Sequence, residues 1–298
     1  MKAVQSTSFG GPEVLHIIDV EIPHPGPGEI VVQVAGAGVN QLDAKIRSGA
    51  MSAGKPASFP LGTGFDAAGA VTKIGTGVDD VSVGDIVFGA GRNTMALQAI
   101  LTAWAKVPGA VDPVEAGGWG VATETAGRLL SELGLDEGTL LISGASGGVG
   151  SAVVQLAVAR GFTVIGTASA SNHDYLARFG AIPLTYGEGL EDRVSKAARG
   201  GIDGALDISG AGVISELVAL VGDPAKVISI AGFTAPAHGA RVSTGATRTT
   251  DPRDGFAEAA GLPDFALHVE RRFALADIAD AHRHAEKGDT TGKLVVTP

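Results

Sequence analysis

Three glycines at three-residue spacing, Gly144, Gly147 and Gly150, follow an apolar run and precede a helical pattern. The run TLLIS (139–143) predicts a buried strand, and residues 150–160 predict a helix. Glycines let such a turn be tight and let its backbone approach a pyrophosphate, to which the helix N-terminus offers N–H groups and partial positive charge. The segment therefore predicts a dinucleotide site, and the alternative is a plain strand-to-helix turn without a ligand. The candidate contacts are Gly144, Ser146, Gly147, Gly148, Val149 and Gly150.

The end of the next predicted strand distinguishes between the two nicotinamide dinucleotides. An acidic residue at this position would bind the ribose 2′-hydroxyl of NAD. The run FTVIG (162–166) is instead followed by small and polar residues, and the first acid is Asp174. Small hydroxyl side chains leave room for a 2′-phosphate and can donate to it, so the sequence favours NADPH. A cation would come from His173, Arg178 or elsewhere, because the loop has neither Lys nor Arg. The candidate contacts are Thr167, Ser169, Asn172 and His173.

The composition argues against several other chemistries. The 298 residues include no cysteine, which removes disulfides, thiolate catalysis and cysteine-ligated zinc. His282 and His284 are two residues apart and point in different directions on a helix, so we predict no metal site. Neither Tyr175 nor Tyr186 is followed four residues later by the lysine that a short-chain dehydrogenase needs. The formal net charge of −10, without a Lys/Arg run, argues against nucleic-acid binding.

Two patterns of secondary structure must position these residues. The first third of the chain predicts short strands between glycines, one of them at 78–83, and a helix over 40–48. This pattern is typical of an antiparallel, barrel-like domain. From Asp112 a helix is predicted to continue to about Leu133, and strands then alternate with helices, which indicates a doubly wound parallel sheet.

The predicted fold class is therefore α/β, with a barrel-like domain and a Rossmann domain. We expect the last strand, which begins at Gly292, to pair within the first domain and make it discontinuous. The expected domains are 1–111 with 262–298, and a cofactor-binding domain at 112–261. The first residues lack the apolar core of a signal peptide, and no stretch approaches about 18 uninterrupted apolar residues. We therefore expect a cytoplasmic protein that does not interact with membranes.

The chain resembles the zinc-independent medium-chain dehydrogenase/reductase superfamily over essentially its whole length, and above all its quinone oxidoreductase branch, which includes zeta-crystallin. The resemblance implies a GroES-like β-barrel domain and a Rossmann domain with the active site in the cleft between them. It also implies hydride transfer from NADPH to a quinone or an activated double bond. The matching segments are residues 1–15, PGPGE (25–29), GVNQLDAKIRSG (38–49), PLGTGFDAAG (60–69), GDIVFG (84–89), the glycine loop and GKLVV (292–296).

The resemblance also implies roles for single residues. Asn40 would face the nicotinamide and the substrate, and Thr125 would lie on the helix that approaches the nicotinamide. Asp43 and Arg47 are four residues apart on one helix and could pair, in either a catalytic or a structural role. The role of Asp66 could likewise be either catalytic or structural. The remaining cofactor contacts would be Tyr186 near the 2′-phosphate, Ala231, Gly232 and Phe233 beside the nicotinamide, and Lys293 on the last strand.

The expected function is NADPH-dependent quinone reduction by a homodimer. Many related reductases carry a tyrosine just after the family helix, where this chain has Lys45 and Met51. A quinone tolerates this absence because water supplies the protons after hydride transfer, whereas an enone or enal must be protonated at carbon. The alternatives are a double-bond reductase and a non-catalytic NADPH-binding sensor or structural protein.

Overall fold

The structure is a computed structural model that describes residues 1–52 and 57–298. The described residues form two compact units, Met1–Val121 with Ala266–Pro298, and Ala122–Phe265. The domain boundaries expected from the sequence, at 111/112 and 261/262, stay a prediction.

The N-terminal part of the first unit consists mainly of strands. Its strands and helices are β1 (Lys2–Ser6), β2 (Leu15–Asp19), β3 (Ile30–Val39), α1 (Gln41–Arg47), β4 (Leu61–Gly62), β5 (Asp66–Ile74), β6 (Ile86–Arg92), β7 (Gln98–Lys106) and α2 (Pro113–Ala116). Helix α3 (Trp119–Leu133) then carries the chain into the second unit.

Strands and helices alternate in the second unit. They are β8 (Thr139–Ser143), α4 (Gly148–Ala159), β9 (Thr163–Ala168), α5 (His173–Ala177), β10 (Ile182–Thr185), α6 (Leu190–Ala197), β11 (Gly204–Asp207), α7 (Ile214–Val221), β12 (Val227–Ser229), β13 (Arg241–Val242) and α8 (Pro252–Gly261). The chain returns to the first unit with β14 (Val269–Ala274), α9 (Ile278–Ala285) and β15 (Lys293–Thr297).

The main sheet of the first unit joins both ends of the chain. Its order is β14-β15-β3-β5-β6-β7, and an additional pairing of β3 with β7 closes the antiparallel part into a barrel. The last strand pairs antiparallel with β3, with Leu294 opposite Val39, which confirms the pairing expected from the sequence. Alternate residues of these strands, such as Val32 and Val34, fill one apolar core, as expected from the two-residue period of a strand.

The second unit contains a six-stranded sheet in the order β10-β9-β8-β11-β12-β13, in which every pairing is parallel. This architecture, with the barrel-like sheet of the first unit, confirms the predicted fold class. Its central strands are buried apolar runs, as in sheets covered on both faces. The chain leaves β8 toward β9 on one side and later returns to β11 on the other. The neighbouring ends of β8 and β11 therefore form the switch point at which such sheets bind ligands.

Two predicted elements are wrong. Residues 78–83 form a loop with a turn at its end, not a strand; Val78 and Val81 pack into the core from this loop, which explains the apolar pattern. The single helix expected from Asp112 to Leu133 is two helices, α2 and α3. It breaks at Gly117, where an added Cβ would overlap the main chain of Gly36.

Of the helices in residues 1–52 and 57–298, none has both the length and the apolar character that a bilayer crossing requires.

Candidate active site

The turn between β8 and α4 depends on its glycines. Gly144 has a φ of +79°, in the left-handed region that favours glycine. A Cβ on Gly150 would overlap the carbonyl oxygen of Gly144. Gly147 is the N-cap of α4 and provides no side-chain cap, so the first N–H groups of α4 lack that partner. A tight turn with uncapped N–H groups fits a ligand that carries phosphate.

A buried carboxylate organises the loop after β11, across the switch point from the glycine turn. Asp207 is fully buried at the end of β11. Its Oδ1 accepts hydrogen bonds from the Oγ of Ser209 and the N–H of Gly210, both at 3.0 Å. The Oγ of Ser209 lies 2.8 Å from the Oγ of Ser143, the last residue of β8. The main-chain nitrogen of Ser209 lies only 3.0 Å from where a Cβ on Gly144 would be, so the two loops pack directly together.

The same carboxylate holds the loop after β12. The Oγ of Ser229 donates to Asp207 Oδ2 at 2.8 Å and accepts from the N–H groups of Ala231 (3.2 Å) and Gly232 (2.7 Å). Phe233, the next residue, is 55% exposed. Asp207 and Ser229 therefore fix the backbone of two residues that the family resemblance places beside the nicotinamide.

The loop after β9 contacts the glycine turn. The Nδ2 of Asn172 donates to the Oγ of Ser146 at 3.3 Å, and the hydroxyls of Ser169 and Ser171 lie 3.0 Å apart. Thr167 is buried in β9, and its hydroxyl donates to a main-chain carbonyl of β8 at 3.5 Å. Ser146 and Asn172 are thus brought together, while the hydroxyl of Thr167 points to the sheet.

The end of β10 lies beside the loop after β9. His173 Nε2 is 3.5 Å from the Oγ1 of Thr185, the last residue of β10. Tyr186 follows and is 59% exposed. His173, Thr185 and Tyr186 therefore all lie at the ends of two neighbouring strands, on the same edge of the sheet.

In the first unit, four polar side chains far apart in sequence form one buried group, the Asn40 cluster, consisting of Asn40, Asp43, Asp66 and Lys293. Asn40 precedes α1, and its N–H donates to Asp43 Oδ2 at 2.8 Å, which is half of a helix-capping box. The Nδ2 of Asn40 donates to Asp66 Oδ1 at 2.7 Å. Lys293 Nζ donates to Asn40 Oδ1 at 2.7 Å and lies 3.8 Å from Asp66 Oδ2.

Burial and the charges of neighbouring side chains have opposing effects within the Asn40 cluster. The pKa of Asp43 is raised to about 7, mainly by burial and also by the neighbouring charge of Asp66, whereas the N–H groups of Asn40 and Gly64 and the charge of Lys293 oppose the rise. Asp66 is fully buried and also accepts from the N–H of Val121 at 3.0 Å. Lys293 is 5% exposed, so its ammonium group is enclosed beside two carboxylates.

The predicted pair of Asp43 with Arg47 is wrong. Asp43 turns back to the N-terminus of α1 and also accepts from the N–H of Gly64 at 3.2 Å. Arg47, in the last turn of α1, instead pairs with Glu286 at the end of α9. One Asp43 oxygen caps the helix and the other accepts from Gly64, which turns the carboxylate away from Arg47.

Thr125 lies in the second unit, within a buried polar group on α3. Its hydroxyl donates to Glu124 Oε2 at 3.1 Å, and Glu124 pairs with Arg128 at 2.8 Å. Arg128 also donates to the Oγ of Ser243. The predicted catalytic role of Thr125 stays a prediction.

The two histidines near the end of the chain have different surroundings. His282 is fully buried on α9, whereas His284 pairs with Glu270 at 2.7 Å. Among residues 1–52 and 57–298, no group of three His, Cys, Asp or Glu side chains is placed to hold a metal ion.

Sequence reasoning missed Asp207 and Ser229. The signal was available, because Asp207 is a charged residue at the end of an otherwise apolar strand and is followed by Ser-Gly. Its importance became visible only when the register placed β11 beside β8, with Asp207 opposite Ser143.

Comparison with known families matches two models to the chain. The alcohol dehydrogenase GroES-like domain matches residues 26–126, and the zinc-binding dehydrogenase domain matches residues 148–254. The first range covers most of the barrel strands and the second begins at α4.

Individual proteins are similar over different lengths. A quinone oxidoreductase of Lama guanicoe is 39% identical over 56% of this chain and 52% of its own length, so the chain spans about half of that relative. An NADPH-dependent alkenal/one oxidoreductase of Arabidopsis thaliana is 29% identical over the whole chain and 80% of its own length. The solved structure of an alcohol dehydrogenase superfamily protein from Novosphingobium aromaticivorans is 30% identical, with a TM-score of 0.84, covering 100% of this chain and 99% of that one.

Proposed function

The chain belongs to the medium-chain dehydrogenase/reductase superfamily, and on that premise we propose that it is an NADPH-dependent reductase that transfers hydride to a quinone. The observation that carries the proposal is the uncapped glycine turn at the switch point, followed by a second strand without a terminal acid. The names of the llama and Arabidopsis relatives support the same reaction class.

The second unit would hold the cofactor, which supplies the hydride when bound. The N–H groups at the start of α4 would bind the pyrophosphate, together with Ser146. Ser169, Asn172, His173 and Tyr186 would surround the 2′-phosphate. Asp207 and Ser229 would hold Ala231 and Gly232 in place beside the nicotinamide, and Thr125 would contact the same ring.

The Asn40 cluster would act on the acceptor. Negative charge develops on a quinone oxygen as it accepts hydride, and preorganised donors stabilise such charge best in a site that excludes water. Lys293 uses one ammonium hydrogen on Asn40 and has two more, so it would be the donor to the quinone oxygen. The Asn40 amide donates to Asp66 and to the carbonyl of Gly38, and it would hold the lysine in place. Asp66 lies 3.8 Å from the lysine Nζ and would help to position it, and water would supply the one proton that converts the hydroquinone anion to the hydroquinone.

A double-bond reductase is the second candidate, and Asp43 favours it. Reduction of an enone or enal requires a proton at carbon, for which the chain lacks the barrel tyrosine. Asp43 is a buried acid whose pKa of about 7 is near the value that suits a general acid at neutral pH. The Arabidopsis relative is named for this substrate class.

Assembly and location are parts of the same proposal. We expect a homodimer through the edge strand β13, since an edge strand presents unpaired N–H and C=O groups to a partner. We expect a cytoplasmic location, where metabolism supplies NADPH. The partners would be small molecules, and size-exclusion chromatography with light scattering measures the oligomer.

A binding and turnover experiment tests the function. Nicotinamide fluorescence follows titration of the protein with NADPH and NADH, and the absorbance of reduced cofactor then follows addition of an ortho-quinone or an enone. We expect tight NADPH binding and quinone-dependent oxidation. Oxidation by the enone alone would select the second candidate. Binding without oxidation by either acceptor would indicate a sensor or structural protein, and binding of neither cofactor would mean that the glycine turn is empty.

A further inference from the structure

The corner of the second unit that would receive a 2′-phosphate is formed by two neighbouring strands. β9 and β10 pair in parallel, with Ala168 opposite Thr185, so the loops that follow them leave the same edge of the sheet. The ribose 2′-group of a dinucleotide lies at the end of the second strand of the fold, which is β9. The chain has neither Lys nor Arg at 169–173, so the cation must come from another element.

Two arginines could supply this cation, Arg178 from the helix after β9 and Arg193 from the helix after β10, and they lie at different positions along their helices. Helix α5 starts at His173, beside this edge, and runs back along the sheet to Arg178 at its C-terminus. At about 1.5 Å per residue, Arg178 lies roughly 8 Å further along the helix. Arg193 instead lies in the first turn of α6, directly after the loop that ends β10. The topology therefore places Arg193 at the edge and Arg178 away from it.

Arg193 is held by the loop itself. Its Nε donates to the carbonyl of Thr185 at 3.0 Å, its Nη1 to Glu188 at 2.8 Å and its Nη2 to Gly187 at 3.0 Å. A guanidinium group has five donors, so two remain after these bonds. The same loop carries the exposed Tyr186, and Thr185 is the residue beside His173.

The guanidinium charge of Arg193 is not compensated by an acidic side chain in the part of the chain that the structure describes. Its acceptors are all main-chain carbonyls, and among residues 1–52 and 57–298 no carboxylate forms an ion pair with it. Glu188 contacts it through its main chain. A fixed guanidinium with two unused donors suits a phosphate monoester, whose oxygens accept charge-assisted hydrogen bonds.

We infer that Arg193 is the specificity-determining cation for the 2′-phosphate of NADPH, acting with Tyr186 and His173 from the adjoining loops. The inference rests on the proposed function, because it assigns a residue to the cofactor site of that reductase. The loop after β9 has no Lys or Arg, and in this inference Arg193 supplies the cation from α6, the helix that follows β10.

The test compares cofactor affinities in three variants of the full chain. Arg193→Gln removes the charge, Arg193→Lys keeps the charge but loses the three-carbonyl geometry, and Lys196→Gln removes a charge from the same helix one turn later. Fluorescence titration gives Kd for NADPH and NADH. Competition by adenosine 2′,5′-bisphosphate against adenosine 5′-monophosphate isolates the phosphate subsite, and circular dichroism monitors folding.

For Arg193→Gln we expect NADPH and the bisphosphate to bind roughly 10- to 100-fold more weakly, as for loss of one charge-assisted hydrogen-bonded pair. We expect NADH and the monophosphate to change less than about twofold. Arg193→Lys should recover part of the loss, and Lys196→Gln should resemble the wild type.

Equal weakening of NADPH and NADH would show that Arg193 only supports the loop, and an unchanged NADPH affinity would show that it has no role; either result overturns the inference. Failure of the wild type to bind NADPH would overturn the proposed function as well. The two failures are therefore distinguishable.

Discussion

Lys293 Nζ lies 2.7 Å from the Oδ1 of Asn40, although 253 residues separate them in sequence. The contact follows from the register of β15 on β3, since Leu294 opposite Val39 makes Lys293 and Asn40 the next residues along each strand. The two ends of the chain therefore meet in one buried polar group.

Replacement of Asn40 by alanine should lower kcat/KM for a quinone by about 10- to 100-fold, because it leaves Lys293 and Asp66 without their shared partner and so releases the preorganised lysine donor. Steady-state kinetics with NADPH measure the loss. Gln41→Ala is the matched control, since the side chain of Gln41 bonds to the carbonyl of Ala285 instead of the cluster. A wild-type kcat/KM in Asn40→Ala would show that the Asn40 cluster does not act on the acceptor.

Asp43 should make the protein less stable as pH rises. Burial raises its pKa from 3.8 to about 7, so the folded state holds this proton more tightly than the unfolded state. The stabilisation is present below pH 3.8 and is lost as pH rises to about 7, by up to about 4 kcal/mol. Asp43→Asn should remove this contribution to the pH dependence of stability, which urea unfolding measures between pH 4 and 8.

His282 should have the opposite effect on the pH dependence of stability. Burial, with the nearby charge of Arg47, lowers its pKa from 6.5 to about 4, so the folded state takes up this proton less readily. Stability is therefore lost as pH falls from 6.5 to about 4, by up to about 3 kcal/mol. We expect a nearly flat wild-type profile, a fall toward acid pH in Asp43→Asn and a fall toward neutral pH in His282→Leu. Parallel profiles in all three proteins would contradict both assignments.

Two glycine substitutions in the turn between β8 and α4 should distinguish an effect on protein stability from an effect on cofactor binding. Gly150→Ala should destabilise the protein by about 1–3 kcal/mol, because its Cβ would overlap the Gly144 carbonyl. Gly147→Ala should fold normally, since its Cβ would lie 3.8 Å from the same oxygen, yet it should weaken NADPH binding by crowding the phosphate. Thermal unfolding and NADPH titration measure the two effects. A Gly147 variant that binds NADPH normally would place the phosphate elsewhere.

The Asp207 carboxylate should matter for both stability and cofactor affinity. Asp207→Asn replaces one acceptor oxygen by a donor that faces existing donors, which should cost roughly 2–3 kcal/mol. Ser229→Ala removes the acceptor of two N–H groups and should cost less, while still weakening NADPH binding through the 231–232 loop. Ser131→Ala, whose hydroxyl bonds within α3, serves as the control. Weaker stability with unchanged NADPH affinity would limit Asp207 to the fold.

Local patterns predicted the parts of the molecule that local physics determines. The glycine spacing predicted the turn at Gly144 because positive φ and a close approach require glycine whatever surrounds them. The strand predicted at 78–83 was wrong because tertiary packing, not strand pairing, buries Val78 and Val81. The helix spacing of Asp43 and Arg47 suggested a pair, but Asp43 instead caps its own helix at Asn40. Arg47 pairs with Glu286, which is distant in sequence and is brought to it only by the fold. Arg193 was missed because only the pairing of β9 with β10 brings α6 to the phosphate corner.

The union of both chain ends in one sheet has a consequence for biosynthesis. A ribosome releases Asn40 and Asp66 long before Lys293, and throughout that interval the two acids Asp43 and Asp66 have no lysine to neutralise them. The second unit is contiguous in sequence, whereas the main sheet of the first unit includes β15. The Asn40 cluster can therefore be completed only after residues 293–297 have been synthesised.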